Sequence, residues 1–218
     1  FLDNLLEKQA FSRRVEGSNE QPFAFTRELA NARSGGQQIE ARLLDGWWIE
    51  TLYQAPRQLW IWGAGHVGRA IVDVLAPVPD FAITWVDTDR ARFPDHIPEN
   101  VEWLAAKNPE LLPQHAPQEA EHLILTFSHA LDLALCHAIL QRKFTFAGLI
   151  GSTTKWARFR KRLADLGHSD DQILRITCPI GDPSLGKHPQ AIAISVAAKL
   201  LNGKAEQAHG ELTGEKTA

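Results

Sequence analysis

The chain of 218 residues contains only two cysteines, Cys136 and Cys178, and no methionine. Two thiols can build neither a disulfide framework nor a zinc site of CxxC type. The missing methionine, position 1 included, reads as an excised fragment or an incomplete chain, so spacings inside short motifs carry more than long-range ones. No apolar run reaches the roughly 18 residues that span a bilayer, and the opening FLDNLLEKQAFSRR has no continuous apolar signal region. The expectation is a cytoplasmic protein. A net charge of −3 gives no electrostatic footprint for nucleic acid or an anionic membrane, and neither is expected as a partner.

What is present is an ordinary globular balance, 44% hydrophobic and 22% charged, long enough for one large domain or two small ones. Up to Ala32 the pattern is mixed, and Gly35-Gly36 breaks it. QIEARLLDGWWIETLY then reads as two extended runs around Asp45-Gly46, a dipeptide suited to the positive φ angles of a tight hairpin. Residues 1–56 are expected to be a partial, β-containing N-terminal domain ending in a linker at Gln54 to Arg57. From residue 57 to 203, short apolar runs (LWIW, AITWV, HLILTF, FTFAGLI) alternate with helical patterns. That alternation predicts an α/β Rossmann-like domain, a parallel sheet with helices on both faces. Val67, Ala70, Ile71, Val74 and Leu75 mark one face of the first helix, stopped by Pro77 and Pro79. Trp156, Phe159, Leu163 and Leu166 mark a later one that Gly167 should end, and Ser169 with Gln172 forms a capping box. PQAIAISVAAKLLNG predicts a last helix apolar around nearly its whole circumference, which implies burial in the core or against a second subunit, a homodimer. Residues 204–218 read as a frayed polar tail.

Three turns carry the candidate chemistry. In WIWGAGHVGRA, Gly63, Gly65 and Gly68 lie in GxGxxG spacing between a strand and a helix. The first glycine suits a tight turn, the second a pyrophosphate approaching the backbone, the third close packing of helix on strand. The N–H groups at the helix start, around His66 and Val67, favour an anion. Asp87 ends the next strand, placed to accept bonds from a ribose and to repel a 2′-phosphate, which favours NAD-like or adenosine-like ligands. The bland alternative is a degenerate fold that keeps its glycines for packing and binds nothing. The second turn, TFSHALD, brings Ser128, His129 and Asp132 to the carboxyl edge of the third strand. These could touch a polar ligand together with His66, or merely serve the helix start; no histidine pair at helical spacing supports a metal. The third, GLIGSTTK, offers Gly151, Ser152 and Lys155 to a phosphate, or is an ordinary N-cap before a basic helix face. Cys178 lies in a turn-rich loop where no basic partner for its thiol can be named, and Cys136 reads as a small core residue.

GAGHVGRA, WVDTDRARFP, FSHALDLAL, GLIGSTTKWARFRKRL and CPIG with GKHPQAIAISVAAKLL resemble, in that order, the carboxyl-terminal domain of the xanthine dehydrogenase accessory factor family. The resemblance covers roughly residues 57 to 202. It implies a Rossmann domain that binds molybdenum cofactor (molybdopterin) and helps sulfurate it or insert it into a xanthine dehydrogenase-type molybdenum hydroxylase, with a sulfur donor such as a cysteine desulfurase as second partner. A bound NAD would not require hydride transfer. The chain departs from the family in two places. No glycine-rich segment or cysteine precedes residue 57, and Phe127 stands where family members often carry a histidine. Two other functions remain open: a small NAD-dependent oxidoreductase with His129 as proton donor oriented by Asp132, and a nucleotide-sensing module without chemistry.

Overall fold

A computed structural model of the chain describes residues 10–17, 22–35, 40–51 and 55–213. These fall into two compact units, Phe1–Ala55 and Pro56–Ala218. In the first, β1 (Ala10–Arg14), β2 (Arg42–Leu44) and β3 (Trp47–Thr51) form an antiparallel sheet in the order β1-β3-β2. Asp45 and Gly46 have φ of 48° and 82°, so the two-residue hairpin lies where the Asp-Gly pair predicts it. A helix, α1 (Phe23–Gly35), precedes the hairpin, and Glu28 on it pairs with Arg42 of β2 at 2.8 Å. Gly36 and Gln54, the first residue of the expected linker, lie outside the described residues.

The second unit is a six-stranded, wholly parallel sheet in the order β6-β5-β4-β7-β8-β9. Four strands match the apolar runs: β4 (Arg57–Trp62), β5 (Phe81–Asp87), β7 (Glu121–Ile124) and β8 (Phe146–Leu149). The edges add β6 (Val101–Ala105) and β9 (Ile176–Thr177). These escape a search for apolar runs, because only Val101 of β6 is buried and β9 is two residues long. Side chains alternate across β4. Leu59 and Ile61 enter a core under α2 (His66–Leu75) and α6 (Pro189–Thr213), while Trp60 and Trp62 enter a second core under α3 (His129–Leu140), α4 (Thr153–Asp165) and α5 (Asp170–Leu174). Both faces are therefore covered, as a parallel sheet requires. This is the Rossmann-like α/β architecture.

The local signals behave as their chemistry dictates. Gly167, at φ 95°, ends α4 in a Schellman motif: its N–H donates to Ala164 and that of His168 to Leu163. Ser169 and Gln172 form the reciprocal capping box of α5. The last helix differs from its expected form. Ala193, Val196, Ala197 and Leu200 are buried in the core, whereas Ile194 and Leu201 are exposed, so one face alone is covered within the chain. It also continues to Thr213, past Lys204 where the polar composition predicts fraying. A docked first half removes the nucleation penalty, and Lys, Ala, Glu and Gln then propagate the helix well.

Strand order reverses between β4 and β7, which start the two halves of the sheet. The crevice at the carboxyl ends of these strands is where open α/β sheets bind ligands.

Candidate functional site

The first turn runs from the end of β4 into α2, and its three glycines have different reasons to exist. Gly63 sits at φ 125°, and a Cβ there would lie 2.5 Å from the Leu125 carbonyl oxygen. Gly68 is buried, and a Cβ on it would overlap the Gly63 carbonyl oxygen. Turn strain and helix-to-strand packing thus account for both. Gly65 is different. Its φ of −72° suits any residue, and nothing lies within 4 Å of where its Cβ would be. It is the N-cap of α2 and makes no side-chain cap bond, so no cap side chain satisfies the first amides of the helix from that position. His66 is exposed there, and Val67 packs partly on the core.

Asp87 does not offer its carboxylate to that space. Only 3% exposed, it accepts hydrogen bonds from the Ala64 N–H (2.6 Å) on one oxygen and from the Thr88 N–H (2.6 Å) and hydroxyl (3.1 Å) on the other. The Arg92 Nε lies 2.7 Å from the same second oxygen. The expected ribose acceptor is instead the group that fastens the glycine turn to β5. Its charge is balanced by Arg92, so it is not placed to repel a 2′-phosphate. A carboxylate one strand over can bond either to a ligand or to the turn, and burial decides for the turn.

The second and third turns are joined to each other. Ser128 caps α3 by accepting from the Leu131 N–H, and Ser152 caps α4 by accepting from the Lys155 N–H. Asp132, 1% exposed, accepts from the Thr126 N–H (2.8 Å) and hydroxyl (2.7 Å), and its other oxygen lies 2.5 Å from Lys155 Nζ. Lys155 donates also to the Ile150 carbonyl, 3.1 Å away, and its side chain is 12% exposed. The lysine expected to neutralise a phosphate is committed to a buried pair. The carboxylate expected to orient His129 is committed to Thr126 and Lys155, while the exposed His129 meets the edge of the Phe159 ring. The dyad of the oxidoreductase reading is not assembled. A Cβ on Gly151 would press on the Lys155 side chain, so this glycine makes room for the lysine.

Cys178 does have a basic neighbour, one that only the fold reveals. Its half-buried thiol, 3.9 Å from the Gly151 carbonyl oxygen, is pushed up to about 11 by burial; the Lys155 charge pulls the other way and Asp132 raises it again. Burial also raises the pKa of Cys136. Both thiols are held protonated at neutral pH. Among the described residues no group of three or more His, Cys, Asp or Glu side chains could hold a metal ion, and no helix is long and apolar enough to cross a membrane.

Glycine spacing, strand order and the crevice narrow the fold without naming a lineage; a family model does. The model of the XdhC Rossmann domain matches residues 59–200. The chain belongs to that family. A curated relative of this XdhC domain, the uncharacterized protein YqeB of Escherichia coli K12, is 29% identical over 143 residues, which are 65% of this chain and 26% of YqeB. The chain thus spans about a quarter of the length of that relative. Among solved structures, a xanthine dehydrogenase from Bacillus halodurans is 20% identical with a TM-score of 0.58, covering 85% of this chain and 50% of the other. That likeness is one of fold. Arg92 and Phe127 also meet at this edge of the XdhC domain, the guanidinium carbon 4.0 Å from the ring centre, and the sequence offered neither as a site residue. The arginine stands five residues beyond Asp87, on the loop every Rossmann fold brings to this edge, which is the signal that could have found it.

Proposed function

We propose that this XdhC domain, residues 57–203, binds molybdenum cofactor through its phosphate at the α2 start, and that the protein is an accessory factor for a xanthine dehydrogenase-type molybdenum hydroxylase. Gly65 is the observation that carries the reading: neither backbone strain nor packing asks for glycine there, and the open space before an uncapped helix start is where a phosphate would lie. The N–H groups of His66, Val67 and Gly68 would hold that phosphate, with His66 beside it. The cofactor itself supplies the metal and the pterin dithiolene; the chain supplies anion binding and a crevice. Gly151, Ser152 and Lys155 act in this reading by closing the far wall. Family membership supports the accessory role, and a sulfur donor such as a cysteine desulfurase is the second partner expected of it. The exposed Ile194 and Leu201 on α6 suit a homodimer. NAD fits the same phosphate position as an alternative occupant.

Mass spectrometry of the natively purified protein tests this. The expected result is a retained pterin phosphate, lost in Gly65→Asp, whose carboxylate would fill the phosphate position. Full retention by that variant, folded by circular dichroism, would overturn the reading.

A further inference from the structure

Phe127 is 62% exposed just past the carboxyl end of β7, in a domain that buries seven of its ten other Phe and Trp rings and leaves none of them as exposed. It is not loose. The Arg92 guanidinium stacks on one face, its carbon 4.0 Å from the ring centre. Arg92 is itself held from three sides. Its Nε meets Asp87, its carbonyl accepts from the Arg69 guanidinium at 2.6 Å, and the next residue, Phe93, is buried against the rings of Trp85 and Trp103. The other oxygen of Asp87 takes the Ala64 N–H of the glycine turn.

These contacts locate the ring. Arg92 belongs to the loop after β5, Phe127 to the loop after β7, and β4 lies between those strands, so the guanidinium reaches across the end of β4 to meet the ring. Thr126 passes close to Gly63, and a Cβ on that glycine would lie 3.1 Å from the Thr126 Cα. Phe127 therefore directly follows the residue that borders the glycine turn, and Arg92 covers one face of its ring.

Resting on the phosphate site proposed above, we infer that Phe127 is the stacking surface for the planar nitrogen heterocycle of the ligand, a purine or pterin joined to the phosphate, and that Asp87 and Arg92 are positioning residues that hold the ring in place. Specificity for an aromatic ring system is thereby separated from affinity for phosphate: the α2 start reads the anion and Phe127 reads the ring. The chain Asp87, Arg92, Phe127 links the two, since Asp87 fastens the turn that binds phosphate and the arginine that backs the ring.

Calorimetric titration of the full chain with AMP, neopterin monophosphate and ribose 5-phosphate tests the assignment. Phe127→Ala should weaken the heterocyclic probes roughly five- to hundred-fold and leave ribose 5-phosphate unchanged, and Phe127→Trp should restore binding. AMP and the pterin serve to tell which ring system is preferred. An equal loss for all three probes, or no loss for any, would overturn the stacking role while leaving the phosphate site standing. Failure of all three to bind the unmodified chain would overturn the phosphate site and the stacking role together.

Discussion

The two sides of the crevice are built from the same parts, a strand end, a glycine-bearing turn and a helix start, yet they end in opposite states. On the β7 and β8 side both helix starts are capped by a serine, and the Asp132 carboxylate and the Lys155 ammonium neutralise each other. On the β4 side the helix start has no side-chain cap, and its central glycine faces open space. A glycine turn at a helix N-terminus is thus no predictor of an anion by itself. What matters is whether the protein has already satisfied the N–H groups and charges it exposes there.

The largest test of that contrast is Asp132→Ala, which leaves Lys155 buried without its partner. A loss of about 3–5 kcal/mol is expected in urea denaturation, with partial recovery in the Asp132→Asn, Lys155→Met double variant, where no unpaired charge remains. A neutral Asp132→Ala would mean that the far side is not closed by this pair.

Acid probes the same half of the sheet. His122 on β7 accepts a hydrogen bond from Trp62 at 3.3 Å, and burial, then the Arg142 charge, pushes its pKa down to about 4. In the unfolded chain a histidine titrates near 6.5, so between those values the unfolded state binds more protons. The stability contributed by neutral His122 is fully present above about pH 6.5 and is lost as pH falls towards 4, on the order of 3 kcal/mol. His122→Gln should flatten that part of the pH profile.

The glycines give the next contrast. Gly68→Ala should cost about 1–3 kcal/mol or more, because the added carbon meets backbone rather than a flexible side chain. Gly65→Ala should cost at most about 1 kcal/mol, the scale of an N-cap change. Equal losses would show that Gly65 serves the fold after all. Phosphate binding should behave inversely among variants that fold.

Much of this molecule was legible before its structure. The Asp-Gly hairpin, the capping box, the α4 stop and the four central strands are set by interactions within a few residues or by a two-residue alternation, and both leave a mark in the order of side chains. The edge strands were not legible, since an exposed or very short strand has no apolar run to show. The site divides in the same way. The three turns could be located, but the partners of Asp87, Asp132 and Lys155 could not.

Sequence alone therefore determined that this chain folds as a Rossmann domain with glycine turns at the carboxyl edge of its sheet, because helix starts, turns and strand faces are local consequences of residue type. Only the tertiary structure decided which turn is open. Asp132 in the first turn of α3 and Lys155 in the first turn of α4 are separated by the rest of α3 and by β8 and meet because β7 and β8 are neighbours, and Asp87 faces Ala64 because β5 lies beside β4. Charges in adjacent turns find one another through the register of the sheet, and that pairing, rather than the presence of a glycine or a lysine, decides which turn is left for the phosphate site proposed above.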